Sequence, residues 1–475
     1  MTDVESTPFK SIRLKLILRK GAWLLAIAAV LQIVFFGLLV AGQAVPDKVI
    51  ADQLAVDIHY GTYGPDRLPD RMGSSSDTFT ECIVAATGLG HDGENLFIRA
   101  AYMPRLGSCA GGAAPILKLA AGEQLPSNQV ASYSKYWAGY TIITRPAIAL
   151  FGLTGMRIIA GAMLLCSVLA AVAVLGRRTT KWAAAGLLIP LALASNLMST
   201  PSTSFSQAIS ISFIFLGVAI AAWGARKSMA WTIFAVGLSA ALFCYVDLLT
   251  TPGIPWAWTT AAAAGVVYAK TRQMKPTLVV GIVAAAVWIL AFAGTWVSRW
   301  VFAAMFLGIR STYATMVSNI EFRTAGSHEN VEHVLFAPTL ANWEYWFGHI
   351  STAGFVLAGS GIAILVALVI AWRRHGARSV VMWPILGLPA LVVPIWWEAL
   401  SNHSQIHMFF SNRGVPALLG VLLFAAFLLA SLPESTPKPL AGPAGRRARE
   451  PESPTLPRHV SERTEDAVSP AAVND

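Results

Sequence analysis

Two carboxylates stand out in this sequence because they are four residues apart at the predicted start of a helix. Asp77 and Glu81 follow a run of glycine and serine, and the pattern predicts a helix with Ser76 or Asp77 as its N-cap. The spacing places both carboxylates on one helix face. Such a pair supplies a general base together with a ligand for a metal or a sugar. The alternative is that Asp77 only caps the helix and Glu81 is solvated.

A second group of polar residues lies near the carboxyl end of the chain. His403 and His407 are also four residues apart, and Arg413 follows them. Two imidazoles on one helix face bind a metal, contact a phosphate or shuttle a proton, although this spacing alone is a weak metal motif. The guanidinium of Arg413 adds a bidentate contact to a phosphate. The alternative is an aromatic-rich turn at a membrane surface whose polar groups are already bonded.

Further candidates occur singly. Asp247 is the only acid within the apolar blocks described below, and a carboxylate near membrane depth is by default a functional candidate. Its place near the end of a block also allows it to reach interfacial water. Arg145 is a candidate phosphate contact, and the aromatic residues Tyr136 and Trp137 are candidate substrate contacts.

Two cysteines, Cys82 and Cys109, lie in the predicted first outer loop. Two cysteines on an oxidising face of a membrane are a disulfide candidate, and two free thiols are the alternative. Their spacing matches no metal motif, so no metal ligands are assigned to them.

The elements that must position these residues are long apolar segments. Of the 475 residues, 55% are hydrophobic and only 13% are charged, against about 25% charged in a soluble domain. This composition excludes a soluble enzyme, a disordered protein and a coiled coil. A bilayer span needs roughly 20 apolar residues. The sequence predicts ten spans, at about 22–42, 155–176, 183–200, 207–223, 230–249, 253–269, 277–297, 350–372, 380–397 and 415–432.

The cations explain the net charge of +10 and orient the predicted spans. Five precede the first block, and four acid-free linkers between blocks hold eleven others. These linkers contain Arg177, Arg178 and Lys181; Arg226 and Lys227; Lys270, Arg272 and Lys275; and Arg373, Arg374 and Arg378. The positive-inside rule places all four linkers and the amino terminus in the cytoplasm. The cations are therefore topology signals, and nucleic-acid binding is rejected.

The predicted organisation has three parts. A cytoplasmic segment at 1–21 precedes an all-α polytopic membrane domain at 22–432, and a disordered cytoplasmic tail follows at 433–475. Three regions face outside, at about 45–154, 298–349 and 398–414. Within the first, residues 136–152 are expected to form a helix or broken helix at the outer interface, with a re-entrant span as the alternative. We expect a multi-pass protein of the plasma membrane with both termini in the cytoplasm.

This arrangement resembles the GT-C superfamily of membrane glycosyltransferases. The shared features are a cytoplasmic amino terminus, a large first outer loop, an acid soon after the first span and interfacial helices before the second. The resemblance covers about residues 1–432 in topology, but the adjacent acid pair frequent in that superfamily is absent. It implies a base in the first outer loop, Asp77 first and Glu81 second. It also implies a polyprenyl-phosphate-linked sugar donor.

The implied acceptor is a cell-envelope glycan, lipid or protein on the exoplasmic face. The chain is also similar to poorly described bacterial multispan proteins, and that similarity names no substrate. Two alternative functions remain: a transporter or flippase of a lipid-linked or small polar substrate, and a glycan polymerase or ligase. The sugar, hexosyl or pentosyl, and the need for a divalent cation are left open.

Overall fold

The computed structural model describes residues 9–434 except 71, 73–74, 92, 326–327 and 330, and for residues 9–18 and 20 it describes the backbone alone. Most of the predicted tail, from residue 435 onward, lies outside the described residues. The chain divides after Pro433 into a large first unit and the tail. The account below concerns the first unit.

Helices dominate the fold, and the described part of the chain contains twenty of them. They are α1 Phe9–Gln43, α2 Asp47–His59, α3 Thr78–Ala85, α4 Leu96–Tyr102, α5 Cys109–Ala120, α6 Thr141–Arg178, α7 Lys181–Leu193, α8 Thr200–Thr203, α9 Phe205–Lys227, α10 Met229–Val246, α11 Gly253–Thr271, α12 Met274–Leu307, α13 Ile309–Thr324, α14 Ala337–His349, α15 Ala353–His375, α16 Ala377–Gly387, α17 Val392–Ala399, α18 Ser401–Ile406, α19 Met408–Ser411 and α20 Gly414–Ser431. Two short strands, β1 Pro104–Arg105 and β2 Ala131–Ser132, pair antiparallel.

Eight helical segments within the described residues are long and apolar enough to cross a membrane. They are Gly21–Gln43, Thr141–Arg178, Phe205–Lys227, Met229–Val246, Met274–Leu307, Ala353–His375, Ala377–Ala399 and Met408–Ser431. The prediction of an all-α polytopic membrane protein is therefore confirmed. The other two predicted spans are helical as well, but α7 has only 13 residues. The 19-residue α11 is not apolar enough to qualify.

The four basic linkers gather at one end of the helix bundle, which we call the basic end. Hydrogen bonds join these linkers to one another or to the last turn and end of α20: Thr180–Ser431 (2.6 Å), Lys270–Arg226 (3.5 Å), Arg272–Pro433 (3.2 Å) and Arg374–Ala430 (3.2 Å). The helix α7 begins at this end and α11 ends there. Both helices therefore run between the basic end and the opposite end.

The region predicted to be the first outer loop lies at the opposite end and is folded. A disulfide bond joins Cys82 in α3 to Cys109, the first residue of α5, so the predicted pairing is confirmed. Asp77 is the N-cap of α3, and its Oδ1 accepts a hydrogen bond from the Thr80 backbone N–H at 3.1 Å, as predicted. The loop thus holds its acids on short helices that are fixed to each other.

The segment 136–152 leads into a helix with one break. The helix α6 begins at Thr141 and continues to Arg178, but Gly152 has φ 63° and ψ −168°. Asp57 Oδ2 accepts a hydrogen bond from the Leu153 N–H at 2.9 Å, so it caps the second part of α6. A left-handed glycine and a capping carboxylate from α2 together produce the break.

The predicted outer region 298–349 is helical over much of its length. The helix α12 continues to Leu307, ten residues beyond the predicted end of the span, and α13 and α14 follow. The aromatic and apolar residues at 300–307 prolong the helix, because nothing in that stretch breaks it.

Candidate functional site

A buried polar network joins the first outer loop to the start of α20. Arg413 is 2% exposed, and it donates from Nε to Asn196 Oδ1 at 2.8 Å and from Nη1 to Gln207 Oε1 at 2.9 Å. Each amide then donates to a carboxylate. Asn196 Nδ2 reaches Asp70 Oδ2 at 2.9 Å, and Gln207 Nε2 reaches Asp77 Oδ2 at 2.8 Å. One guanidinium is thereby linked to two acids through one amide each.

Four separate parts of the chain build this network. Arg413 precedes α20, Gln207 lies in the first turn of α9, Asn196 follows α7, and Asp77 caps α3. The Ser204 hydroxyl also accepts a hydrogen bond from the Asp77 backbone N–H at 2.8 Å. The polar groups of the network therefore come from helix ends that lie opposite the basic end of the bundle. The apolar helices hold these groups in place.

Sequence reasoning found Asp77 and Arg413 but missed the two amides and Asp70. Asn196 lies inside a predicted apolar block and Gln207 opens another. A side-chain amide in an apolar block costs free energy unless it is hydrogen bonded. The presence of Asn196 and Gln207 in such blocks was therefore the signal that could have identified them. Asp70 was one of many acids in the first outer loop, and its type and spacing alone did not distinguish it.

Burial sets the ionisation of Asp77. Loss of solvent raises the pKa of this carboxyl above its usual value, while hydrogen bonds from Thr80 and Gln207 and the charge of Arg413 lower it. A carboxylate with a raised pKa is a better proton acceptor when it is ionised, which suits a general base. The capping role of Asp77 and its membership of the network therefore coexist, because different oxygens serve them.

One donor of Arg413 is left over. Its Nη2 is buried and has no hydrogen-bond partner within the part of the chain that the structure describes. Leaving a buried donor unpaired costs free energy, about 1–3 kcal/mol or more for a charged group. An anionic ligand bonded to Nη2 would recover this cost.

Glu81 belongs to a different set of contacts. Its Oε1 pairs with Arg157 at 2.5 Å, and its Oε2 accepts the Phe205 backbone N–H at 2.7 Å. Burial raises the pKa of Glu81 and the Arg157 charge lowers it. Both carboxylate oxygens are thus occupied in joining α3, α6 and α9. Glu81 differs from Asp77 in being paired directly with an arginine, and its role as the second-choice base stays a prediction.

The two histidines lie beside a buried arginine that sequence reasoning had not singled out. Arg323, at the end of α13, contacts His403 Nδ1 and the hydroxyl of Tyr136. His403 Nε2 also bonds the Leu249 carbonyl at 2.5 Å, and the rings of His403 and His407 are 4.7 Å apart. The predicted substrate contact Tyr136 and the histidine pair therefore meet at one place.

Burial makes both imidazoles weak bases. Burial, followed by the charge of Arg323, lowers the pKa of His403 far below its usual value and that of His407 to about 3. These low pKa values favour an uncharged contact by the histidines, and the phosphate contact expected of them stays a prediction. No group of three His, Cys, Asp or Glu side chains in the described ranges is placed to hold a metal ion.

Asp247 and the aromatic candidates line a small cavity of about 10 Å³, the size of a single water site. The Asp247 carboxylate caps the turn after α10, where it accepts the Thr250 backbone N–H at 2.7 Å. The Trp137 indole lies in the same lining and donates to the Thr295 carbonyl at 2.5 Å. His403 lines a neighbouring cavity, also of about 10 Å³. The structure thus groups Asp247, Tyr136 and Trp137 around one space beside the histidines.

Arg145 is held by other partners. It donates from Nη2 to Asp47 Oδ1 at 2.8 Å and from Nε to the Gly42 carbonyl at 2.9 Å, and it is 1% exposed. Asp47 also pairs with Arg99 at 2.6 Å. These bonds fasten the start of α6 to the end of α1. The expected phosphate contact by Arg145 is therefore replaced by a structural role.

No protein-family model, curated protein or solved structure matches this chain. Its fold alone defines a class, that of all-α multi-pass membrane proteins, and its function has to be argued from the buried network.

Proposed function

We propose that this protein is an integral membrane glycosyltransferase that uses a polyprenyl-phosphate-linked sugar. The acceptor is a cell-envelope glycan, lipid or protein on the exoplasmic face. The observation that carries the proposal is the connection between Asp77 and Arg413 through the single side chain of Gln207. Sugar transfer from a lipid phosphate needs a base for the acceptor and a cation for the leaving group.

In the proposed reaction, Asp77 removes the proton from the acceptor hydroxyl as that oxygen bonds to the anomeric carbon of the sugar. The bond between that carbon and the phosphate oxygen breaks, and its electron pair leaves with the lipid phosphate. Arg413 stabilises this charge through its open Nη2. A phosphate leaves readily, so the reaction requires no covalent intermediate with the enzyme.

We extend the proposal to the topology. Ten helices, including α7 and α11, cross the plasma membrane in a GT-C-like arrangement, with both termini in the cytoplasm. The gathering of four basic linkers at one end of the bundle supports this orientation. The candidate base, the disulfide and the open donor of Arg413 then face the exoplasmic side, where a disulfide is stable.

The proposal is tested by Asp77→Asn in membranes supplied with a labelled polyprenyl-phosphate sugar. Asparagine caps a helix as well as aspartate does, so the substitution removes the base and keeps α3. We expect transfer to fall by roughly 10²–10⁴-fold, the contribution of general base catalysis. The control is Asp52→Asn, because Asp52 is a half-exposed carboxylate paired with Lys48.

Full transfer by Asp77→Asn at normal expression would overturn the assignment of the base. Solute uptake by vesicles without any transfer product would favour a transporter or flippase instead. Long products from a single acceptor would indicate a glycan polymerase or ligase, whose chemistry at Asp77 and Arg413 is the same.

A further inference from the structure

A cavity of about 360 Å³ lies at the basic end, away from the polar network. Three helices, α7, α15 and α20, provide its walls. Its lining is apolar except for two residues, and it consists of Trp182, Ala363, Val366, Ala367, Ile370, Arg374, Phe427, Ala430 and Ser431. We call this cavity the basic-end groove. Its volume is in the range of cavities that bind small molecules.

The groove has an origin in the sequence. The helix α7 has only 13 residues and packs mainly on α20, so it leaves space towards α15. On α15, Ala363 and Ala367 are one helical turn apart and present small side chains to this space. Val366 and Ile370 add a hydrocarbon wall along the same helix. The result is an elongated apolar channel between spans, suited to an acyl chain.

Two cations, Arg374 and Lys181, lie in or beside the lining of the groove. Arg374 is exposed and donates one hydrogen bond to the Ala430 carbonyl at 3.2 Å. Lys181 lies with its Nζ 5.4 Å from the Trp182 ring centroid. Within the described ranges, neither cation forms an ion pair with a carboxylate. Arg374 lines the groove, and Lys181 lies beside the lining residue Trp182.

We propose that the basic-end groove binds one anionic phospholipid. Its acyl chain lies along Ala363, Val366 and Ile370, and its phosphate contacts Arg374 and Lys181. The two uncompensated cations select an anionic headgroup over a zwitterionic one, as basic pockets between spans do. Trp182, 58% exposed, lies at the headgroup level, where amphipathic rings are favoured. The site is independent of the proposed transfer reaction, since it involves none of the residues of that network.

Native mass spectrometry of the purified full chain tests this site. The protein is titrated with phosphatidylglycerol or phosphatidylcholine, and the retained lipids are counted. We expect one tightly retained phosphatidylglycerol. Because each interfacial cation is worth about 1 kcal/mol, each of Arg374→Gln and Lys181→Gln should weaken its binding about fivefold. Arg378→Gln is the matched control, as Arg378 belongs to the same linker as Arg374 but does not line the groove.

Ala363→Phe fills the apolar wall and provides a second test. It should reduce the binding of both lipids, while thermal unfolding confirms that the variant is folded. Equal retention of phosphatidylglycerol and phosphatidylcholine by the unmodified protein would overturn the choice of an anionic headgroup. Unchanged retention of phosphatidylglycerol in the Arg374→Gln, Lys181→Gln double variant would overturn the site.

Discussion

Gln207 is the residue that makes the candidate site a single unit. It uses both ends of its amide, donating to Asp77 and accepting from Arg413. A buried amide with both groups paired fixes the distance and orientation of the two side chains that it joins. Any change at this position therefore alters the ionisation of Asp77 as well as the geometry.

Gln207→Leu should shift the pH dependence of transfer. Burial already raises the pKa of Asp77, and Gln207 opposes that rise. Loss of this donor raises the pKa further, and a base works only in its ionised form. Activity should therefore be lost at a higher pH as the solution is acidified, which a pH profile of kcat/KM measures.

Gln273→Leu, in the linker before α12 at the basic end, is the matched control and should leave the profile unchanged. If the acid limb of the Gln207→Leu profile coincides with that of the unmodified protein, Asp77 is not the titrating base.

The role of a residue could be predicted from the sequence where its hydrogen-bond partner lies close to it in the chain. The capping role of Asp77 followed from its own neighbours, because Thr80 is three residues away. Arg145 was misassigned because its partner Asp47 is 98 residues away, and no pattern in one sequence reveals that pair. The amides of Asn196 and Gln207 escaped notice for the same reason, since their partners lie in the first outer loop and before α20.

Among the helices, α6 has the most unusual backbone. Its break at Gly152 separates a first part beside α1 and α2 from a second part that starts at Leu153. The carboxylate of Asp57 caps the second part, and a Cβ on Gly152 would lie 3.2 Å from Asp57 Oδ2. Both the backbone conformation and the close carboxylate require glycine here.

Gly152→Ala should therefore destabilise the protein by about 1–3 kcal/mol, because L residues rarely adopt this conformation. Thermal unfolding in detergent measures the loss. Gly294→Ala provides the control: Gly294 lies in the regular helix α12, and a Cβ added there would meet no neighbouring side chain within 4 Å. This control should be neutral or more stable by about 0.5–1 kcal/mol. Equal melting temperatures for the two variants would show that the break at Gly152 is not a strained position.

Hydropathy predicted the existence of the long helices, because the cost of exposing backbone groups to lipid leaves few other structures. It was less informative about the outer regions. The helices α13 and α14 carry mixed residues without a continuous apolar block, so the sequence indicated only an outer region at 298–349. The extension of α12 to Leu307 was missed because a span was expected to end near 297.

At the scale of the whole molecule, the two ends of the bundle differ in chemistry. One end gathers the basic linkers, and the other gathers the disulfide, the buried acids and Arg413. Sequence reasoning anticipated this separation from charge placement alone. It did not anticipate which acid would meet the guanidinium, because that depends on how the helix ends pack.

Labelling of single cysteines tests the proposed orientation. Glu123→Cys in the first outer loop should react with a membrane-impermeant maleimide in intact cells, whereas Ser228→Cys between α9 and α10 should react only after lysis. Cys166 and Cys244, the free thiols, are replaced by alanine in both variants. Labelling of Ser228→Cys in intact cells would reverse the proposed topology.

The order of synthesis determines when the parts of the Arg413 network can come together. Asp70 and Asp77 leave the ribosome early, and Arg413 follows only with the last span. Until α20 is inserted, the two early acids have no guanidinium at the centre of their network. In a chain that stops before residue 413, Asp70 and Asp77 lack the guanidinium to which Asn196 and Gln207 connect them in the finished protein. Insertion of the final helix therefore completes the polar network that the first acids begin.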